Sequence, residues 1–439
     1  MSQNRASLGL LLSLLLLLGG CYDKLELNEL AVADLMAIDL SEDGRLHVTL
    51  QLLIPAELSA PGGNTQGAVA TAPFYVVDAV GSTLPEAFSL IQAKLSRRLF
   101  TSHVQVVILG EEFAKAGIAP VVDTLTRLRE LRVTTEVVAT RGKAADLLLA
   151  ATRLTKLPAR SLINLLSHGI VPTRTVRDVA LAMQLEGMDP FVPTIELASP
   201  SNAPSAGGQI SNTQEFEVTG VAIFQGDRLV GFAPLAVARG VAWLINRIPE
   251  ATATIPWTQV QDPQAGRPVK ESDLSPLEDE LINNAPPGTG PGGVGSGLKN
   301  PAQISPFVVR GTTRVTSRIE NGELVIKVTA RALDDILTNL AGLDFTDPAS
   351  IPPLEAALAR ELEERIKAAL HLAQKVYQAD IFGFGELVHR EHPKLWREVK
   401  RDWHTLFSTL RVDVQADVKV RRVGLTTNQP GLRQEQLRK

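Results

Sequence analysis

The chain is short of cysteine, of net charge and of long apolar runs, and each shortage removes a class of protein. One cysteine, Cys21, stands in 439 residues, so there is no intramolecular disulfide framework. The formal net charge is -4, which gives no global pull toward nucleic acid. Beyond the first two dozen residues no stretch is apolar for the ~20 residues that a helical membrane span needs. Spacings that carry chemistry are also missing: no G-x-S-x-G, H-E-x-x-H, Walker loop or EF-hand pattern occurs. The 44% hydrophobic and 21% charged residues are enough for a sizeable core, so disorder is not the default. The length points to two or three domains.

The beginning of the chain is the most informative stretch. Leu8 to Leu18 is a leucine run interrupted only by Gly9 and Ser13, with Arg5 before it and Gly19-Gly20-Cys21 after it. A basic start, a short apolar core and small residues at a break describe an export signal, too short to be kept as a span. Leu18-Gly19-Gly20-Cys21 also reads as a bacterial lipobox, in which the thiol takes a diacylglyceryl group and the chain is cut just before the cysteine. The ordinary alternative is a signal peptide with an incidental cysteine; a lone thiol without a disulfide partner argues for lipidation. Two acyl chains on one residue give stable anchoring where one gives only marginal binding. The expectation is residues 1–20 removed, lipid on Cys21 and a tethered body outside the cytoplasmic membrane.

Strand and helix patterns then alternate. Leu30 to Leu40 and Leu46 to Leu52 flank a Gly44 turn and predict a hairpin. Thr83 and Glu86 form a capping pattern before a helix running to about Arg97, Gly117 should stop a short helix from Gly110, and Val133 to Thr140 reads as a strand. Ala198 to Asn212, dense in Ser, Pro, Gly and Asn, reads as a linker. Phe216 to Phe232 predicts a second hairpin, and Val237 to Ile248 a helix with Trp243 in the core. Asn283 to Pro306 is Pro/Gly-biased and cannot hold a packed core. Asn321-Gly322 between alternating runs is the strongest hairpin signal in the chain. Leu354 to Gln378 carries one apolar stripe from Leu354 to Tyr377 and predicts a helix across a sheet. Val412 to Val420 alternates as a last strand. The fold class is α+β, with three mixed domains: 21–198, 213–306 including the Pro/Gly-rich insertion, and 307–425, followed by a basic tail, 426–439.

Three local patterns resemble chemical motifs. Gly290 to Gly295 fits G-x-G-x-x-G by letter but lacks the strand before and helix after that a dinucleotide site needs. Ser296 and Lys299 fit S-x-x-K in the same loose stretch. His389 and His392, with Glu391 between them, could share a helix face toward a metal, but the order lacks the zincin pattern and Pro393 ends the local helix. No catalytic constellation, cofactor site or metal site is expected.

Four ordered stretches resemble the Ger(x)C spore germination lipoproteins, the C subunits of nutrient germinant receptors. They are Gly20-Cys21-Tyr22-Asp23 through Asn28-Glu29-Leu30 to Ile38-Asp39; Arg97-Arg98-Leu99-Phe100 with His103, Gly110-Glu111-Glu112, Gly117-Ile118 and Arg127 to Arg132; Gly220 to Phe224 through Gly231 to Gly240 and Trp243; and Asp380-Ile381-Phe382-Gly383-Phe384-Gly385-Glu386, Pro393 to Trp396 and the last strand to Gly424. The resemblance implies a non-enzymatic, lipid-anchored subunit on the outer face of the spore inner membrane. It also implies two integral membrane partners, the A and B receptor subunits, with a small-molecule germinant at most an indirect ligand. A different class, a lipoprotein that captures a solute for a transporter, is the alternative; it requires a deep cleft. Gly383 and Gly385 are expected to serve backbone geometry.

Overall fold

The computed structural model describes residues 26–54, 73–150, 155, 157–198, 214–248, 255–256, 303–341 and 343–424. Two sheets organise them. The first contains β1 (Leu30–Leu40), β2 (Leu46–Leu53), β3 (Phe74–Gly81), β4 (Arg98–Phe100), β5 (Val106–Leu109), β6 (Glu136–Ala139), β7 (Phe191–Leu197), β8 (Phe216–Gln225) and β9 (Arg228–Pro234). Its order is β3-β2-β1-β5-β6-β7-β8-β9, and β4 pairs with β1 alongside. The centre is parallel, from β1 through β5 and β6 to β7, and both flanks are antiparallel hairpins. Parallel strands are covered on both faces, and β1 and β5 accordingly read as buried runs rather than alternating ones. Helices α1 (Leu84–Gln92), α2 (Glu111–Ala116), α3 (Ala119–Arg127), α4 (Ala145–Leu148), α5 (Pro158–Ser167) and α6 (Val176–Gln184) supply the cover.

The predicted turn chemistry is present. The β1–β2 hairpin turns through Ser41 to Arg45 with Gly44 at φ +77°. Thr83 Oγ1 accepts from the Glu86 amide at 3.3 Å, while the Glu86 carboxylate accepts from the Ser82 amide at 2.7 Å, one residue before the cap. Helix α1 stops at Gln92, short of Arg97. The Gln92 side chain donates to the Arg97 carbonyl and accepts from the Leu99 amide, which turns the chain into β4.

The Ala198–Asn212 stretch does not separate two domains. Strands β7 and β8 on either side of it pair from Phe191↔Ile223 to Leu197↔Phe216, and β9 continues the same sheet. A Ser/Pro/Gly-rich composition marks a long connection but carries no information about the sheet that its ends join. Among the described residues the expected middle unit, 213–306, has no sheet of its own. It supplies a hairpin to the first sheet, α7 (Leu235–Leu244) and β10 (Ile255–Pro256), which pairs with the second.

The second sheet runs β10-β11-β12-β13, with β11 (Gln303–Glu320), β12 (Glu323–Asn339) and β13 (Arg411–Arg422). Asn321 and Gly322 both take positive φ, 51° and 86°, at the tip of the β11–β12 hairpin, the geometry for which Asn-Gly is selected. The hairpin is longer than the alternation predicted because β12 continues through Asp334 and Asp335. Strand β13 lies parallel to β12, so a crossover must join them. That crossover is helical: α8 (Ile351–His371), α9 (Phe384–Glu391), α10 (Pro393–Val399) and α11 (Trp403–Thr409).

Helix α8 packs across β13 and against α7, burying Leu354, Leu358, Leu362, Ile366 and Leu370. It ends seven residues before the predicted Gln378. Leu372–Val376 form a π turn, and Gln374 inside it donates to the carbonyls of Phe407 at 2.8 Å and Leu410 at 3.0 Å. Those bonds fasten α8 to the end of α11. Glu363 and Glu355 of α8 accept from the Ala416 and Val420 amides, each at 3.0 Å.

Candidate functional site: an aspartate junction between the two halves

The segment Asp380 to Glu386 is the point at which the C-terminal half grips the first sheet. Asp380 is fully buried. Its Oδ1 accepts from the amides of Phe382, Gly383 and Phe384 at 3.0–3.3 Å. Its Oδ2 accepts from the Gly385 amide at 2.7 Å and from the Trp403 indole at 3.1 Å. The carboxylate thereby satisfies the exposed amides at the start of α9 from inside the loop that precedes it. Burial raises the Asp380 pKa to about 7; the amides of Gly385 and Phe384 pull it down and the neighbouring Asp189 pushes it up.

Asp189 supplies the other half of the junction. Its amide donates to the Asp380 carbonyl at 2.9 Å and its Oδ2 accepts from the Asp380 amide at 2.8 Å. Its Oδ1 accepts from the Gly226 amide at 2.7 Å, in the β8–β9 turn. His404 Nε2 of α11 lies 3.1 Å from Oδ2, and that bond raises the His404 pKa. One side chain thus ties together the loop before β7, the β8–β9 turn and the 380 loop. Glu186, three residues earlier, accepts from the Trp396 indole at 3.2 Å and from Lys400 at 3.0 Å.

Two glycines let the backbones meet. A Cβ on Gly385 would lie 2.6 Å from Gly187 Cα, and one on Gly187 would lie 2.7 Å from Gly385 Cα. Gly383 sits at φ +75° as the residue before α9, where a side chain is strained. The expectation that Gly383 and Gly385 serve backbone geometry holds, by two different mechanisms. Behind them stand Trp396, Trp403, Phe384 and Phe407, with Trp396 and Trp403 edge to face at 5.2 Å.

Other stretches of the resemblance are contact points too. Asp39 of β1 accepts from the Ala144 and Ala145 amides at 2.8 and 2.9 Å and caps α4, and a Cβ on Gly110 would strike its carboxylate. Gly231 leaves room for Tyr377, whose hydroxyl donates to the Phe232 carbonyl at 3.1 Å. Gly240 of α7 crosses α8, where a Cβ would lie 2.8 Å from the Ala369 methyl.

These motifs decide the family. A model of the "Spore germination protein N-terminal domain" matches residues 23–197, and one of the "Spore germination B3/ GerAC like, C-terminal" domain matches 295–424. The chain belongs to the Ger(x)C family. Among Ger(x)C relatives in Bacillus subtilis (strain 168), spore germination protein KC is 26% identical over 440 residues, covering 95% of this chain and 96% of its own. Spore germination protein B3 is 23% identical, covering 94% and 96%. The crystal structure of the GerBC protein superposes with a TM-score of 0.50 at 18% identity, over 88% of this chain and 96% of that one, and shares the α+β fold. A germination-related role follows for this Ger(x)C chain.

The remaining sequence candidates fall as follows. Cys21, the Gly290–Gly295 pattern and the Ser296/Lys299 pair lie outside the described residues. His389 stacks on Trp396 at 5.7 Å and its Nδ1 lies 3.6 Å from Glu386; His392 joins α9 to α10. The structure does not bring the two onto one metal: among the described residues no group of three His, Cys, Asp or Glu side chains is placed to hold an ion. Trp243 is buried, as expected, beside a small cavity with Asp334 and Arg365. Sequence reasoning missed Asp189, Gly187 and Trp403. A signal was available in the tryptophans: only four occur, and two of them, Trp396 and Trp403, are seven residues apart, the helical spacing of one buried face.

Proposed function

We propose that this protein is a non-enzymatic, lipid-anchored subunit of a nutrient germinant receptor, held on the outer face of the spore inner membrane by Cys21 and assembled with integral membrane subunits. The observation that carries the reading is the tether. The chain's lone cysteine follows Gly20 after a short apolar run, and β1 begins at Leu30, so the folded body follows the attachment point almost at once. No described helix is long and apolar enough to cross a membrane. The buried carboxylate of the family motif, Asp380, joins segments from inside a backbone cradle. Such a body suits assembly with other chains.

Membrane fractionation of Cys21→Ala tests the anchor. Release of the protein, or accumulation of the uncut precursor, is the expected result. Co-purification of the wild-type chain from spore membranes should return integral membrane subunits, and spores lacking the gene should respond poorly to at least one nutrient. A mutant that responds normally to every germinant, with no co-purifying membrane chain, would sink the receptor reading.

A further inference from the structure

We infer that the arginine-rich face around the start of β1 docks on anionic phospholipid headgroups, so that the protein lies on the bilayer in one orientation instead of swinging on its tether. The inference rests on the anchoring proposed at Cys21. Cys21 precedes Glu26, where the described chain begins, by five residues, a reach of at most ~18 Å. Whatever surrounds the start of β1 therefore stays near the surface to which the cysteine is attached.

What surrounds it is basic. Arg98 is the register partner of Leu30, the first residue of β1. Arg97 and Arg98 are exposed, as are Lys94 and His103. The 97–105 segment abuts 129–136: Thr101 Oγ1 donates to Glu130 at 3.3 Å and Thr135 Oγ1 donates to the Val104 carbonyl at 3.1 Å. This second segment adds exposed Arg129 and Arg132. His103 and Arg132 flank a cavity of about 300 Å³ that Ser102, Gln105 and Thr134 also line.

Among the described residues Arg97, Arg98, Arg129 and Arg132 form no ion pair, whereas Arg127 beside them is paired with Asp123. Glu26, Glu29 and Glu130 lie nearby and weaken the field without matching its five lysines and arginines. Glu136, at the inner end of the cavity, is held toward its neutral form by burial. Near the end of the described residues Arg421 is engaged with Asp335 and Lys419 with Glu355. Unpaired arginines beside a short tether fit an anionic membrane surface, where each basic residue adds about fivefold to partitioning.

The test uses the full lipidated chain in vesicles of phosphatidylcholine alone and of phosphatidylcholine mixed with phosphatidylglycerol. Flotation is read first; a chain that fails to float with either vesicle is unanchored, and that result removes the Cys21 reading and this one with it. In floated samples, labelling of arginines by phenylglyoxal is read by peptide mass spectrometry. Arg97, Arg98, Arg129 and Arg132 should be labelled several-fold more slowly in the anionic vesicles, with Arg421 unchanged, and the protection should vanish near 1 M salt, where the Debye length falls to ~3 Å. The triple variant Arg97→Glu, Arg98→Glu, Arg132→Glu should lose protection at Arg129 while keeping its melting temperature and its flotation. Equal labelling in both vesicles, or protection that persists in high salt, overturns the docking and leaves the anchor standing. Protection seen in native spore membranes but absent from anionic vesicles overturns it too, in favour of a protein partner.

Discussion

The buried aspartates of the junction and those of the sheets meet the same problem in opposite ways. Asp380 is sealed from water yet accepts five hydrogen bonds from N–H donors of one loop and one indole. Asp34 of β1 and Asp334 of β12 are also buried, at 1% and 4% exposure. Neither oxygen of Asp34 has a well-formed partner, and Oδ1 of Asp334 has none. Burial raises both pKa values from 3.8 to about 7. The difference teaches what a buried carboxylate is for in each place. At the junction it organises backbone amides that would otherwise be orphaned. In the sheets it is a cost that protonation relieves.

The comparison can be broken most forcefully at the hub. Asp380→Ala strands four amides and an indole in a dry junction, each unsatisfied donor costing ~1–3 kcal/mol. A loss of about 4 kcal/mol or more in urea unfolding is expected, with the C-terminal half loosened first in hydrogen exchange. Gly385→Ala comes next. Its methyl meets the Gly187 backbone, which cannot swing aside as a side chain would, and a cost of about 2–3 kcal/mol is expected. Gly383→Val adds strain at a left-handed position and should lower the melting temperature by a comparable amount or less. An unchanged melting curve for both glycine variants would mean that the junction is looser than described.

Burial gives all three aspartates the same acid response, since the Asp380 pKa is raised to about 7 as well. From about pH 4 to 7 the folded chain holds protons on Asp34, Asp334 and Asp380 that the unfolded chain has released, so their effect is to make stability fall as pH rises through that window. His404 adds in the same direction, since its raised pKa gives stability that is present below 6.5 and lost as pH climbs through the folded value. Glu391, which accepts from the Ser317 amide and hydroxyl, has a lowered pKa, although its burial works the other way. The pKa of Glu111 is lowered as well, by Lys115 and the Gly142 amide against its own burial. Their contribution is present above the unfolded value and lost as pH falls through the folded one. Stability should therefore peak at the acid end of that window, where the glutamates are ionised in the folded chain and the aspartates are still protonated in it. Asp34→Asn should stabilise the protein at pH 8 by roughly 1–2 kcal/mol more than at pH 4 and flatten the profile between. Destabilisation at pH 8 would show that Asp34 has a partner after all. The smallest effect belongs to Trp403→Phe, which removes one of five donors to Asp380 while keeping the ring; about 1 kcal/mol is expected.

The pattern of legibility follows sequence distance. The Thr83–Glu86 cap, the Gly117 stop, the Asn321-Gly322 hairpin and the α8 stripe were readable because each is written in one continuous stretch of chain. The Asp380 motif was readable as a resemblance, but its partner Asp189 lies 191 positions away, and nothing local distinguishes Asp189-Pro190 from an ordinary turn. Asp34 and Asp334 interrupt strands that otherwise read as apolar or alternating, and sequence periodicity passes over single exceptions. The joining of β7 to β8 across the Ala198–Asn212 stretch was hidden for a related reason: a linker's composition speaks for its own residues only.

The two glutamates that α8 lays along β13 have a consequence for crowding. A final strand with open amides invites a neighbour's strand, and copies confined to one surface meet far more often than copies in solution. By occupying the Ala416 and Val420 amides, Glu363 and Glu355 keep that border from acting as a template. On the surface proposed for this protein, that blocked border is what keeps neighbouring copies from zipping into ribbons through β13.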